Sequence, residues 1–328
     1  MKRIRFGIIG CGNVTEVKSG PGFQKAEHCE LVAVMRRDAA LAEDYARRHG
    51  VPRWYADAGE LIGDPDVDAV YIATPPGSHL EYALAVAKAG KPVYVEKPMA
   101  LSGEECSRMI AACREAQVPL YVAYYRRALP RFLKVKELLE AGAIGDVRYA
   151  AMVQYQPAPQ AKEGEIPWRL QPELSGGGLF FDLASHTLDL FDFLLGPIAE
   201  AKGIASNQQG QYAGIEDIVT ATYRFESGVH GIGSWCFSAF AREDRNEIVG
   251  SLGKLSFSTF GHEPIRLDTA DGTQLFPFEP PQHIQQPLIQ TVVNDLLGFG
   301  VCASTGESAA RTNRVMDELV KGFYSPQS

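Results

Sequence analysis

Two stretches of the sequence place ionisable side chains where they could move a proton or stabilise a charge. The first is the triplet Glu96-Lys97-Pro98, which follows the apolar run Val93–Val95. The second is the apolar stretch 179–195, in which three ionisable side chains recur four and three residues apart, at Asp182, His186 and Asp189. On an α-helix this spacing aligns them on one face. Because burial without partners is costly, we expect them to bond one another or to line a cleft.

Lys97 and His186 suit complementary chemical roles. An ammonium can donate to a substrate oxygen and stabilise the negative charge that develops on it. A histidine has an ordinary pKa of about 6.5, so it can act as a general acid or base near neutral pH. Each residue also has a structural alternative, with Lys97 as a surface lysine and His186 as a core histidine satisfied by its neighbours. The sequence leaves open which of the two moves the proton.

A glycine-rich turn follows the first apolar run, Ile4–Ile9. It reads Gly10-Cys11-Gly12-Asn13-Val14-Thr15, with Thr15 where a third glycine is usual. Gly10 permits a tight turn, Gly12 lets the backbone approach a pyrophosphate, and the N–H groups that begin the next helix, at Asn13 and Val14, can donate to the anion. The alternative is an ordinary turn, but its place after the first strand favours a dinucleotide site.

Cofactor preference is set about 20 residues further on, after the second strand. An NAD site would place a carboxylate there for the ribose hydroxyls, whereas this chain has Arg36-Arg37-Asp38. Guanidinium groups pair with a 2′-phosphate, so we predict NADP, with NAD as the alternative. Asp38 reaching the ribose would support NAD, and a solvated arginine pair would support neither.

The elements that must position these residues follow two patterns. Up to residue 123, apolar runs at 4–9, 31–35, 69–73, 93–95 and 120–123 alternate with helical patterns at 39–49, 57–62, 79–89 and 103–116. This alternation predicts a parallel, doubly wound Rossmann domain over residues 1–123. The run at 69–73 leads into Thr74-Pro75-Pro76 and His79, which we expect beside the cofactor; for His79, a helix start without a ligand role is the alternative.

Residues 124–328 show a different pattern of predicted secondary structure. A helix is predicted at 130–141, a long loop at 157–178, and two closing helices at 284–302 and 307–323. Between them lie strand patterns with few helices, at 147–155, 198–205, 218–225, 229–237, 245–249, 254–257 and 265–267. We therefore predict an α+β domain with a large, mostly antiparallel sheet, which binds substrate and joins copies of the chain.

The joint pattern resembles the Gfo/Idh/MocA oxidoreductases. The residues that carry the resemblance are Glu96-Lys97-Pro98 after a strand, the Gly10 and Gly12 turn, and Ala73-Thr74-Pro75-Pro76. The Asp-x-x-x-His spacing of Asp182 and His186 matches the family's catalytic motif. The resemblance implies that Lys97, Asp182 and His186 form the active site, with Glu96 and Lys97 also at the cofactor. It implies hydride transfer between a nicotinamide and a sugar, polyol or keto-sugar.

Further contacts are predicted around this site. Members of the family that reduce sugars carry a Trp-Arg pair near the substrate, and Trp168-Arg169 is similar to it. Arg126, at the domain junction, is a candidate cofactor contact. The Lys97–Pro98 peptide bond is expected to be cis. An exposed face of the large sheet predicts a homodimer or a homotetramer.

Composition excludes other function classes. The formal net charge is −8 without a basic tract, which argues against nucleic acid and anionic membranes as partners. No apolar run is long enough to span a membrane. The six cysteines are scattered, without zinc-ligand spacing, which predicts a cytoplasmic protein without a metal.

Two rivals to the enzyme share its fold. One is a non-catalytic sensor that binds cofactor and sugar to regulate a partner protein. The other is an NAD-dependent glycosidase, which oxidises its sugar only transiently. A pure sensor could lose Lys97 and His186, and both are present, so the enzyme is favoured.

Overall fold

The computed structural model describes residues 2–159, 166–210, 212 and 214–324. These residues form two compact units. The first comprises the chain up to Leu129 together with Pro281–Ala310, and the second comprises Pro130–Pro280 together with the chain from Arg311 onward.

The first unit is built on a six-stranded parallel sheet. Its strands are β1 (Ile4–Ile9), β2 (Cys29–Met35), β3 (Arg53–Tyr55), β4 (Ala69–Ile72), β5 (Val93–Val95) and β6 (Leu120–Val122). They pair in the order β3-β2-β1-β4-β5-β6, which is the order of a dinucleotide-binding sheet. Its central strands are fully buried Val/Ile-rich runs, so the predicted Rossmann sheet is confirmed.

The helices of this part of the chain are α1 (Asn13–Val17), α2 (Gly20–Lys25), α3 (Ala39–His49), α4 (Ala58–Gly63), α5 (His79–Lys88) and α6 (Gly103–Glu115). The four predicted helical patterns correspond to α3, α4, α5 and α6 and agree to within one residue at each end, and a helix was expected after Gly12, where α1 begins. Strand β3 and helix α2 were missed. Strand β3 lies at the sheet edge and has no continuous apolar run, and α2 contains two glycines and a proline, which obscure a helical pattern.

The second unit begins with α7 (Pro130–Glu140) and contains an eight-stranded sheet. Its strands are β7 (Val147–Tyr155), β8 (Ile198–Ser206), β9 (Ile218–Phe225), β10 (His230–Cys236), β11 (Glu243–Gly250), β12 (Gly253–Phe257), β13 (Ile265–Thr269) and β14 (Gly272–Phe276). The order is β14-β13-β12-β11-β7-β10-β9-β8. Only β7 and β10 pair in parallel, which confirms the mostly antiparallel prediction. Strand β14 was missed, because its residues are mostly exposed and show no apolar alternation.

The remaining helices of the chain are α8 (Pro172–Ser175), α9 (Ser185–Leu195), α10 (Gln286–Leu297) and α11 (Gly306–Tyr324). The predicted loop 157–178 contains α8 and a 3₁₀ turn at Trp168–Leu170, and part of it lies outside the described residues. The predicted helix at 179–195 is not α-helical throughout, because Phe180–Ala184 forms a π-helical turn before α9. Such turns are often found at functional sites.

The division of the chain differs from the predicted boundary after residue 123, because Pro281–Ala310 packs with the first unit. The reason is the free edge of β6. The Ser304 hydroxyl donates to the Val122 carbonyl at 2.6 Å, and Thr305 forms an antiparallel bridge with Tyr121. The segment around Ser304 therefore completes the edge of the sheet. It follows strand β6 by about 180 residues, and the order of segments along the chain does not reveal such a pairing.

The core of the first unit contains an aromatic cluster on one face of its sheet. Phe6, Phe23, Tyr71 and Tyr94 are fully buried, and their ring centroids lie 4.7 to 6.2 Å apart in successive contacts. Phe23 comes from α2, so this short helix is fixed by tertiary packing rather than by its own propensity. In the part of the chain that the structure describes, no helix has the length and apolarity needed to cross a membrane.

Candidate active site

The turn after β1 is tight at Gly10 and open at Gly12. Gly10 has a φ of +91°, in the left-handed region, and its N–H donates to the Met35 carbonyl at 2.9 Å. A Cβ at Gly10 would lie 2.7 Å from Thr74 Cγ2, so this turn and the loop after β4 pack directly together. At Gly12 the nearest non-adjacent atom of the described residues would be 3.9 Å from a Cβ. The backbone at Gly12 is therefore accessible, as the predicted contact with a pyrophosphate would require.

The residues after Gly12 begin α1. Asn13 is exposed and Val14 is half-buried. Thr15 is fully buried, and its hydroxyl donates to the Gly12 carbonyl at 2.8 Å. The Tyr45 hydroxyl donates to the Thr15 carbonyl at 2.9 Å. The threonine in the position of a third glycine is therefore satisfied within the turn.

The segment after β2 brings one arginine to the glycine turn. Arg36 is half-buried, and its Nη1 donates to the Cys11 carbonyl at 3.4 Å, whereas Arg37 is exposed. The Asp38 carboxylate accepts from the Leu41 N–H at 3.1 Å and so caps α3. The carboxylate that could have indicated NAD is therefore engaged in a helix cap, and a cation lies beside the turn.

His79 connects the loop after β4 to the loop after β5. It is fully buried at the start of α5, with Nε2 lying 2.8 Å from the Thr74 carbonyl oxygen. Nδ1 lies 3.1 Å from the Pro98 carbonyl oxygen and 3.2 Å from that of Met99. Burial lowers the pKa of this imidazole. A neutral imidazole has one N–H and donates to one side only, but both ring nitrogens of His79 lie against backbone of the two loops, so a cofactor contact through it would be indirect.

Glu96 is buried at the end of β5 and holds the residue that follows it. Its Oε2 accepts from the Lys97 N–H at 3.0 Å. Its Oε1 accepts from Gln285 Nε2 at 2.7 Å and from the Tyr71 hydroxyl. The sequence identified neither of the last two partners. Tyr71 lies within an apolar strand and Gln285 is 189 residues away, so no local pattern could indicate them.

Lys97 is half-buried at the carboxyl end of β5, and its peptide bond to Pro98 is cis, as predicted. Thr74, Pro75 and Pro76 follow the neighbouring strand β4, with Pro76 buried in a 3₁₀ turn. Arg126 is buried in a 3₁₀ turn after β6, with its guanidinium carbon 4.8 Å from the ring centroid of Tyr125. The first unit thus places the predicted cofactor residues at the carboxyl ends of its strands, where ligands bind in such sheets.

In the second unit, three of the predicted substrate residues contact one another. Arg169 Nε donates to Asp182 Oδ2 at 3.0 Å, and the Arg169 guanidinium lies over the Trp168 ring, 4.4 Å from its centroid. The Asp182 side chain keeps only 17% of its surface exposed, compared with 48% for Arg169. A carboxylate that is mostly buried is thus paired with a cation at its exposed side.

The polar side chains of α9 lie in a largely buried helix. His186 is 5% exposed and packs edge-on against the Phe260 ring, with 5.6 Å between centroids. Asp189, the third member of the predicted stripe, is fully buried. Further along, Asp192 accepts two hydrogen bonds from Arg311, at 2.7 Å each. This last pair shows no motif in the sequence, because its partners are 119 residues apart.

Comparison with family models identifies both halves of the chain. Residues 4–124 match the model described as oxidoreductase family, NAD-binding Rossmann fold. Residues 132–256 match the Gfo/Idh/MocA C-terminal domain. The chain belongs to the Gfo/Idh/MocA family. The resemblance inferred from its motifs is confirmed, and this family member is an oxidoreductase with an NAD-binding Rossmann domain.

Individual relatives cover nearly the whole chain. It is 41% identical to "Oxidoreductase P35" of Formosa agariphila, over 96% of this chain and 98% of that protein. It is 30% identical to a 1,5-anhydro-D-fructose reductase of Ensifer adhaerens, over 92% of this chain and 91% of the relative. A solved levoglucosan dehydrogenase in complex with NADH superposes with a TM-score of 0.87 at 24% identity, covering 98% and 97% of the two chains. This last likeness concerns the fold alone.

Proposed function

We propose that this Gfo/Idh/MocA protein is a dehydrogenase or reductase that interconverts a CH–OH group and a carbonyl in a sugar, polyol or keto-sugar. The bound nicotinamide cofactor supplies or accepts the hydride. The observation that carries the proposal is the position of Lys97 at the carboxyl end of β5, where Glu96 accepts from its N–H. The name of the reported relative that specifies a substrate, 1,5-anhydro-D-fructose, supports the same substrate class.

The side chains take distinct roles in this proposal. Lys97 donates a hydrogen bond to the reacting oxygen and stabilises its negative charge. His186 gives or takes the proton of the hydroxyl, with its ring held against Phe260. Asp182 and Arg169, already paired at 3.0 Å, bind neighbouring hydroxyls, and Trp168 provides an apolar surface for the substrate ring. These roles require that Lys97 and His186 serve one reaction.

For the cofactor we propose NADP, bound through the Gly10–Gly12 turn and the loop Thr74–Pro76. Two contacts support the preference over NAD. Arg36 lies against the glycine turn, and Asp38 is engaged as the cap of α3. A guanidinium that is half-buried and close to the turn can pair with a 2′-phosphate.

For the assembly we propose a homodimer or homotetramer formed through the open face of the eight-stranded sheet. Paired residues of β8, β9 and β10 place Ile204, Thr220, Thr222, Ile232 and Ser234 on this face. Ile204 is 77% exposed and Ile232 is 44% exposed. An accessible sheet face that carries exposed isoleucines among small hydroxyl side chains can be buried against a second copy.

The test combines the purified protein with NADP(H) or NAD(H) and a panel of polyols, keto-sugars and sugar phosphates. Reduced-nicotinamide absorbance reports turnover. We expect net cofactor turnover with at least one panel member, and a loss of about 100-fold or more in kcat for Lys97→Ala and His186→Ala. The matched control for Lys97 is Lys88→Ala, an exposed lysine outside the proposed site, which should keep full activity.

The outcomes separate the rivals. Binding of cofactor and sugar without turnover would identify a sensor. Sugar hydrolysis without a net change in nicotinamide absorbance would identify the glycosidase. Full activity of Lys97→Ala or His186→Ala would end the catalytic assignment of the replaced residue.

A further inference from the structure

A buried carboxylate contacts the glycine run that precedes the π turn. Glu216 is 3% exposed, and its Oε1 and Oε2 accept from the Gly178 N–H at 3.0 and 3.1 Å. The Tyr324 hydroxyl, from the end of α11, donates to Oε2 as well. No lysine or arginine among the described residues forms an ion pair with this carboxylate. Its charge is therefore compensated by N–H and O–H dipoles alone.

Gly177 and Gly178 leave no room for a side chain at this contact. A Cβ at Gly178 would lie 2.7 Å from the Glu216 carbonyl oxygen and 2.9 Å from its Oε1. A Cβ at Gly177 would lie 2.3 Å from the Phe181 ring and 3.0 Å from the Tyr324 hydroxyl. Only glycine allows the chain to approach Glu216, Phe181 and Tyr324 so closely at these two positions.

The contact lies directly before the segment that carries the proposed catalytic side chains. Gly178 is followed by the π turn Phe180–Ala184, which contains Asp182, and then by α9, which contains His186. The Phe181 N–H also donates to the Gly178 carbonyl at 3.2 Å. The position of Gly178 thus determines where the π turn begins, and a displaced start would move Asp182 and His186 together.

A buried carboxylate without a cation is costly to retain. Burial raises the pKa of Glu216 to about 7, against the effect of hydrogen bonds from Tyr324, Gly178 and Phe180. A glutamine or an apolar residue would fill the same space without that cost. The carboxylate is distinguished by its two acceptor oxygens, which receive the Gly178 N–H jointly and a hydroxyl from α11.

We propose that Glu216 is a positioning residue, which fixes Gly178 and thereby sets the geometry of Asp182 and His186 for the reaction. The proposal rests on the proposed function of those two side chains. Glu216 itself touches neither substrate nor cofactor in this account. Small displacements of reacting groups lower rates steeply, so its removal acts on kcat.

The test replaces Glu216 with glutamine, which preserves size and removes one acceptor, and uses the exposed Glu226→Gln as the matched control. We expect kcat of Glu216→Gln to fall about 10- to 100-fold, while the Kd for the cofactor stays within about twofold. Amide hydrogen exchange of the peptide covering 176–186 should become faster in Glu216→Gln and stay unchanged in Glu226→Gln. Tyr324→Phe, which keeps both Gly178 contacts, should give a smaller change of the same kind.

Wild-type kcat in Glu216→Gln, or exchange at 176–186 that does not change, would overturn the proposal. The proposal would also be overturned if the fall in kcat were fully explained by a smaller folded fraction, which thermal unfolding measures. If Glu216→Gln does not fold, Tyr324→Phe decides by the same two readouts. Failure of the proposed function can be distinguished from failure of the positioning role of Glu216. In the first case Asp182→Asn and His186→Ala would be active, independently of the activity of Glu216→Gln.

Discussion

Replacing Arg36 with alanine tests the cofactor preference. In the structure this guanidinium is half-buried, next to the Gly10–Gly12 turn, and within the described part of the chain its one hydrogen bond is a long one of 3.4 Å to the Cys11 carbonyl. Little is lost within the protein itself on removing it. A 2′-phosphate would lose a charge-assisted hydrogen bond, which contributes about 1.5–3 kcal/mol.

That free energy corresponds to a loss of about 10- to 150-fold in affinity for NADPH. NADH has a hydroxyl in place of this phosphate, so we expect its Kd to change less than about threefold. The assay is a fluorescence titration of each reduced cofactor, which measures Kd without any substrate. Wild-type protein should bind NADPH more tightly than NADH, and Arg36→Ala should reverse or abolish that difference.

Arg47→Ala is the matched control, since Arg47 is an arginine of α3 with 76% of its side chain exposed. It should leave both Kd values unchanged. Equal weakening of NADPH and NADH in Arg36→Ala would refute the reasoning, because it would mean that Arg36 supports the turn rather than a phosphate. Tighter binding of NADH by the wild-type protein would refute it as well.

Four further outcomes are expected. Because the pKa of Glu216 is raised to about 7 in the folded state, its stabilising contribution is complete below its ordinary value of 4.5 and is lost as the pH rises through 7. Urea unfolding should therefore show that the free energy of unfolding of Glu216→Gln rises by about 3 kcal/mol relative to that of the wild type when the pH is raised from 5 to 8. Phe23→Ala, in the buried aromatic cluster, should lower the free energy of unfolding by about 3–5 kcal/mol in the same assay. A loss below about 1 kcal/mol would contradict the packing described. Arg169→Ala should raise the substrate KM about tenfold, while the free energy of unfolding changes by less than about 1 kcal/mol, since the Arg169 guanidinium is itself half exposed. Ile232→Lys should give monomers in light scattering after gel filtration, and an unchanged assembly would remove the open sheet face from the interface.

Much of the fold could be predicted because its main signals are local. Buried parallel strands such as Ile4–Ile9 and Val93–Val95 are continuous apolar runs, and a strand–helix alternation permits few sheet topologies. The elements that were missed lack such a signal. Strand β3, Arg53–Tyr55, has no aliphatic run, and the pairing of Ser304 with β6 joins segments 182 residues apart.

Candidate site residues were predicted where chemistry is expressed as a short motif. Gly10, Lys97, Asp182 and His186 were predicted in this way, and their roles stay predictions. Their supporting contacts were not, because Tyr71, Gln285 and Glu216 act through distant pairings that leave no spacing in the sequence. A buried Glu96 implies that donors exist, but only the fold reveals which residues provide them.

The proposed reaction requires that Lys97 and His186 serve one reacting oxygen. A double-mutant cycle on the single-turnover rate of nicotinamide oxidation or reduction tests this directly, with Lys97→Ala, His186→Ala and the double variant. Residues that act as a unit are strongly non-additive, so the double variant should be little slower than the slower single variant. Rate losses that multiply, so that the double variant shows the product of the two single effects, would contradict the account.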